Sequence, residues 1–205
     1  YNENILSNFL LSLSDLKIQN KDREINNIYY DTLNLDTAKD NLDGVADRVK
    51  YRARWYKNDS DYTNCNFEIK IKNGRTNSKL VFPSETDKSS ILNCNFIDQF
   101  KDRFVNKTIY EKNLIINKFF PIIQNKYDRS YYIYKDKIRL TYDKNISYKN
   151  LKTQSFSNWN SDTLNVLEIK IDTNFLEEAN LLIKKIPFVP KRHSKYLRGL
   201  SCCKM

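Results

Sequence analysis

Asp47-Arg-Val-Lys-Tyr-Arg-Ala-Arg-Trp-Tyr56 is the stretch that decides the fold. Side chains alternate across a β-strand, so Val49, Tyr51, Ala53 and Trp55 share one face. Arg48, Lys50, Arg52 and Arg54 share the other. Neighbouring cations on that face stand roughly 7 Å apart, a repulsion on the order of 2 kcal/mol per pair at an effective dielectric near 20. Solvent screening relieves much of this on an open sheet. A bound polyanion relieves it inside a closed one.

The same alternation recurs along the chain. In Phe67-Glu-Ile-Lys-Ile-Lys72 the apolar Phe67, Ile69 and Ile71 oppose Glu68, Lys70 and Lys72. In Lys137-Ile-Arg-Leu-Thr-Tyr-Asp143 the apolar set is Ile138, Leu140 and Tyr142, against Lys137, Arg139, Thr141 and Asp143. In Val166-Leu-Glu-Ile-Lys-Ile-Asp172, Leu167, Ile169 and Ile171 oppose Glu168, Lys170 and Asp172. Tyr127 and Arg129 share a face in the segment between. Two architectures satisfy this pattern. An open antiparallel sheet with a basic coat is one. The other is a barrel with its apolar residues outward against helices and its charges inward, the inverse of the usual small barrel. Arginine forks and lysine ammoniums both suit phosphate oxygens.

The 205 residues suffice for a buried core, and Lys plus Arg exceed Asp plus Glu by ten (35 − 25). Such a surplus favours polyanionic partners. The basic faces carry few aromatics, which counts against base stacking and so against nucleic acid. Cys65, Cys94, Cys202 and Cys203 form neither a CxxC pair nor a Cys/His cluster, which reads as a reducing cytoplasm without a zinc site. No apolar run has the length of a membrane span. Periodicity predicts helices at 3–16, 94–105 (Phe96, Ile97, Phe100 and Phe104 on one face), 174–185 and 194–200. It predicts strands beginning at 28 and at 47–56, 65–72, 78–82, 121–134, 136–143 and 165–172. The expected fold class is α+β, a single domain over 1–205 of antiparallel strands with a few flanking helices.

Taken in order, these segments resemble a known family. Ile28-Tyr-Tyr-Asp-Thr32, Gly44 with Arg48-x-Lys-x-Arg-x-Arg-x-Tyr56, and Glu68-Ile-Lys-x-Lys72 look like the VTC (vacuolar transporter chaperone) catalytic domain. Pro121 to Tyr127-Asp-Arg129, Ile138-Arg-Leu-Thr-Tyr-Asp143, Leu167-Glu-Ile-Lys170 and Ser194-Lys-Tyr196 continue the likeness, which covers about residues 28 to 200. The resemblance implies a triphosphate-tunnel (CYTH-like) antiparallel β-barrel. The activity it implies is transfer of the ATP γ-phosphate onto a growing polyphosphate chain, with Mn²⁺ or Mg²⁺.

By motif, the phosphate ligands implied are Lys50, Arg52, Arg54, Lys70, Lys72, Lys79, Arg129, Arg139, Lys170 and Lys195. Arg52, Arg54 and Lys195 act on the transferred group, and Glu168 is the metal-binding carboxylate. ATP and polyphosphate are the implied partners, with a cytoplasmic site of action and room for a membrane protein partner that exports the product. The family's first strand carries a Glu-x-Lys that has no counterpart before the first helix, so a missing first barrel strand is expected. A triphosphatase of the same tunnel fold and a non-enzymatic polyanion-binding module are the alternative readings.

Overall fold

The computed structural model of the chain describes residues 3–56, 65–85, 88–103, 113, 115–152 and 158–205. Strands are β1 (Leu16–Asp31), β2 (Arg48–Tyr56), β3 (Cys65–Asn73), β4 (Thr76–Ser84), β5 (Phe120–Tyr134), β6 (Ile138–Asn150), β7 (Asn160–Ser161) and β8 (Val166–Lys170). Helices are α1 (Glu3–Leu11), α2 (Asp36–Leu42), α3 (Lys88–Ile91), α4 (Leu176–Lys185) and α5 (Lys195–Cys202), with 3₁₀ segments at Phe96–Arg103 and Thr173–Phe175. The hydrogen-bonded strand order is β4-β3-β2-β1-β5-β6-β7, and β8 also pairs with β6. The pairs β1–β2, β2–β3, β3–β4 and β6–β8 are antiparallel. The α+β class expected from alternation is therefore what the chain forms.

Among the described residues no ladder joins β4 to β7 or β8, so the closure expected of a barrel is not made by hydrogen bonds. The chemistry of β4 accounts for its open edge. It carries Pro83, which lacks an amide donor, and Lys79, which disfavours edge pairing.

The chain divides into two compact units. Unit one comprises residues 1–24, 127–146 and 161–193; unit two comprises 25–126, 147–160 and 194–205. Each has its own core. In unit one, Leu6, Phe9, Leu10 and Leu13 pack with Tyr134, Ile138, Leu140, Tyr142, Ala179 and Leu182. In unit two, the apolar faces of β2 and β3 (Val49, Tyr51, Ala53, Trp55, Phe67, Ile69, Ile71) pack against Phe96, Ile97 and Phe100 of the 3₁₀ segment. Phe67 stacks on Phe100 with ring centroids 4.9 Å apart, and Phe96 meets Phe100 edge-on at 5.3 Å. The strict alternation of buried and half-buried positions along β2 follows from this one-sided cover. Phe104, assigned to the same face by periodicity, lies outside the described residues.

Several element boundaries depart from periodicity: the strand expected at 136–143 runs on to Asn150, and the helix expected at 94–105 is the 3₁₀ segment Phe96–Arg103. The first helix ends at Leu11 rather than at residue 16: the Ser12 hydroxyl donates back to the Phe9 carbonyl at 2.7 Å, competing with the helical ladder. The strand expected from residue 28 begins at Leu16. Its first half, Leu16 to Arg23, is largely exposed and polar, so no apolar alternation announces it, while Ile25 to Asp31 is buried throughout. Between β5 and β6, Lys135 and Asp136 both adopt positive φ (52° and 53°), the type I′ geometry that matches the strand twist of a tight hairpin.

Candidate phosphate site

In unit two the strand register aligns the cationic faces. Lys50 lies opposite Lys70, and Lys70 lies opposite Lys79, so three lysines form one row across β2, β3 and β4. Directly opposed side chains sit about 5 Å apart, and like charges so placed are destabilising. The next row sets Arg52 opposite Glu68, and the row on the other side sets Arg48 opposite Lys72, which faces Asn77. The face thus holds Arg48, Lys50, Arg52, Arg54, Lys70, Lys72 and Lys79 around one carboxylate, Glu68.

Glu68 is buried and fully engaged. Arg52 Nε donates to its Oε2 at 2.6 Å, and Lys79 Nζ donates to its Oε1 at 3.0 Å. Burial works to raise its pKa, but the charges of Arg52 and Arg54 and the hydrogen bonds from Lys79 and Arg52 prevail, and the carboxyl titrates at about 2. Lys50 Nζ donates to Ser194 Oγ at 2.9 Å. Burial, followed by the charges of Lys70, Arg48 and Arg52, lowers its pKa to about 8. Arg54 Nε donates to Asn27 Oδ1 at 2.8 Å, and Asn27 Nδ2 donates to Asn125 Oδ1 at 2.8 Å. The Nδ2 of Asn125 is buried without a partner. Lys195 is the half-buried first residue of α5, next to the helix-capping Ser194.

In unit one the arrangement is different. Arg129 is buried and grips Asp143 with two bonds, Nε to Oδ1 at 2.6 Å and Nη2 to Oδ2 at 2.8 Å. Burial works against the guanidinium charge, yet the bonds to Asp143 hold its pKa above the usual arginine range. Arg139 faces Lys170 across the β6–β8 ladder, and Thr141 faces Glu168. Glu168 approaches Arg129 Nη2 and Lys170 Nζ at 3.9 Å each, beyond hydrogen-bond length, and its side chain is 43% exposed. Among the described residues no group of three or more His, Cys, Asp or Glu side chains could cage a metal ion. A cation at Glu168 therefore fits only the mode in which one carboxylate is supplemented by waters and substrate phosphates, as Mg²⁺-like ions prefer.

Of the residues singled out by sequence, unit two brings together Lys50, Arg52, Arg54, Lys70, Lys72 and Lys79, with Lys195 beside Lys50's partner Ser194. Unit one brings together Arg129, Arg139, Lys170 and Glu168. Strand alternation does not flag Asn27 or Asn125, because a buried amide in an Asn-rich strand leaves no periodic signal. Nor does it flag Asp143 as the partner of Arg129; only the hairpin geometry reveals that pair.

A family model described as the VTC domain matches residues 2–204. No curated protein matches the sequence. Among solved structures, a protein of Pyrococcus horikoshii OT3 is similar at 11% identity and TM-score 0.50, with 98% of this chain and 92% of that chain covered. A proposed adenylate cyclase of Vibrio parahaemolyticus is similar at 11% identity and TM-score 0.50, with the same shares covered, 98% and 92%. A proposed adenylate cyclase of Bacillus halodurans is similar at 11% identity and TM-score 0.51, with 97% of this chain and 92% of that chain covered. At this identity the likeness is one of fold.

Proposed function

This chain belongs to the VTC domain family, and on that premise we propose that it is a metal-dependent polyphosphate polymerase, transferring the γ-phosphate of ATP onto a growing polyphosphate chain. The observation that carries the reading is the row Lys50–Lys70–Lys79, three aligned ammoniums with one carboxylate in the adjoining row. Left to itself such a row is repulsive; a chain of phosphates laid along it neutralises each lysine in turn.

In unit two, Lys50, Arg52, Arg54, Lys70, Lys72, Lys79 and Lys195 bind phosphate oxygens. Arg52, Arg54 and Lys195 act on the transferred group. In unit one, Arg129, Arg139 and Lys170 bind phosphate and Glu168 ligates Mn²⁺ or Mg²⁺. Such an ion, held by Glu168, would supply positive charge that offsets the charge of the phosphates. An oxygen of the terminal polyphosphate group forms the new bond to the γ-phosphorus. The bond from that phosphorus to the β,γ-bridging oxygen breaks, and ADP leaves with the electron pair. The attacking oxygen is already anionic at neutral pH, so no general base is required, and the protein's part is positioning and charge neutralisation.

No helix among the described residues is long and apolar enough to cross a membrane. Action in the cytoplasm beside a membrane protein that exports the product is part of the same proposal. Incubation with ATP and Mn²⁺ tests it: phosphate chains resolved on a gel are the expected product. Orthophosphate without chains would instead make the protein a triphosphatase. Binding of polyphosphate with no turnover would make it a non-enzymatic module.

A further inference from the structure

Asp31 ends β1 fully buried, yet no described lysine or arginine pairs with it. Its carboxylate instead accepts five hydrogen bonds. Oδ1 takes them from the amides of Thr32 (2.8 Å) and Thr37 (3.0 Å). Oδ2 takes them from Thr37 Oγ1 (2.8 Å), the Ala38 amide (3.0 Å) and Tyr196 Oη (2.7 Å). A carboxylate has about four lone-pair positions, so this one is saturated. The amides of Thr37 and Ala38 lie in the first turn of α2, whose dipole favours the negative charge. The phenol comes from α5.

These two helices meet again at one atom. Ser194 Oγ accepts from Asn41 Nδ2 of α2 at 3.2 Å, from Lys50 Nζ of β2 at 2.9 Å, and from the Leu197 amide of α5 at 3.4 Å. The body of α5 is held independently. Tyr196 stacks on Tyr29 with centroids 5.1 Å apart, and a Cβ at Gly199 would fall 2.8 Å from both Ile123 Cγ2 and Tyr148 Cδ1. What remains to be set is the rotation and height of the turn that bears Ser194 and Lys195. The Asp31–Tyr196 and Asn41–Ser194 bonds tie that turn to the end of β1 and to α2.

We propose that Asp31, acting through Tyr196, is a positioning residue for the phosphate-binding corner made by Lys50, Ser194 and Lys195, a role that rests on the polymerase reading. An aspartate suits this position better than an asparagine. A carboxamide there would turn an NH₂ group toward donors that already point at it.

The test is a double-mutant cycle in tripolyphosphate binding, measured by calorimetry on wild type, Tyr196→Phe, Lys195→Ala and the double variant. Tyr196→Phe retains the ring stack, so it keeps the fold while removing one charge-assisted bond. It is expected to weaken tripolyphosphate about tenfold, the scale of one such bond, and to raise the KM for ATP by a similar factor, with kcat falling as well because Lys195 acts on the transferred group. In the double variant the Tyr196 effect should shrink well below its size in the wild-type background, because part of its route runs through Lys195 and only the part through Ser194 and Lys50 remains. Multiplying effects, or a Tyr196→Phe protein that binds like wild type, would overturn the positioning role while leaving the polymerase reading in place. A wild-type protein that fails to bind tripolyphosphate would overturn both. Asp31→Asn supplies a second variant, expected to lose more affinity than Tyr196→Phe; an equal or smaller loss would count against the route through Asp31.

Discussion

The cation clusters of the two units use the same residue types in opposite ways. In unit one, Arg129, Arg139 and Lys170 stand with two carboxylates, Asp143 and Glu168, and the most buried cation is closed onto a fully buried partner. In unit two, among the described residues of β2, β3 and β4, seven cations (Arg48, Lys50, Arg52, Arg54, Lys70, Lys72 and Lys79) surround a single carboxylate on their face, Glu68. A matched pair holds structure together, whereas a row with surplus positive charge favours an anion. Substitutions in the Arg129–Asp143 pair should therefore act mainly on folding, and those in the row of unit two mainly on ligand binding.

The largest effect expected is on folding. Arg129→Ala leaves Asp143 buried without its guanidinium partner, which costs about 3–5 kcal/mol in urea unfolding. A paired exchange of Arg129→Met with Asp143→Leu should recover most of that loss. If Arg129→Ala unfolds like wild type, the distinction between the clusters fails.

Arg52→Ala is next, and it acts on both properties. Glu68 keeps Lys79, so the stability loss is smaller, about 1–3 kcal/mol, while tripolyphosphate affinity falls about a hundredfold with the loss of a guanidinium fork. Lys70→Ala separates the two properties by sign. Removing the central lysine of the row relieves like-charge opposition and raises stability by roughly a few tenths of a kcal/mol, yet it weakens tripolyphosphate about tenfold. A Lys70→Ala protein both less stable and equally tight would count against the row as a binding site.

The smallest effects are those of pH. Lys50 titrates at about 8 against an ordinary value of 10.5. Its folded pKa is depressed, so the charged form is the less favourable one in the fold. The resulting destabilisation is fully present below about pH 8 and is relieved as pH rises from 8 toward 10.5. Anion binding runs the other way, weakening above about pH 8 as the ammonium is lost, and Lys50→Arg should abolish that step in a calorimetric pH series. Glu68 has the opposite sign. Its stabilisation is complete above about 4.5 and is lost as pH falls toward 2, which acid unfolding of wild type and Glu68→Gln would separate.

The cationic face of each strand was legible in sequence because it depends on period two alone, and the 3₁₀ segment with Phe96, Ile97 and Phe100 covers the apolar face that alternation assigned to β2 and β3. What stayed hidden depends on register between distant segments. The row Lys50–Lys70–Lys79 needs two hairpin offsets, and the Arg129–Asp143 grip needs the β5–β6 turn. The donors to Asp31 come from its own neighbour, from α2 and from α5, which no local pattern connects. The first half of β1 offers only Leu16 and the exposed Ile18 before a polar run, too little to announce a strand, and the open edge at β4 is a matter of pairing that alternation cannot address.

Calorimetric titration of the wild-type protein with inorganic tripolyphosphate, repeated with Arg52→Ala and Arg129→Ala at a temperature where all three are folded, bears most directly on the central claim. Tight, salt-sensitive binding to wild type is expected, with a loss of about a hundredfold for Arg52→Ala and a distinctly smaller loss for Arg129→Ala. Equal losses in the two variants, or no binding to wild type, would contradict that claim.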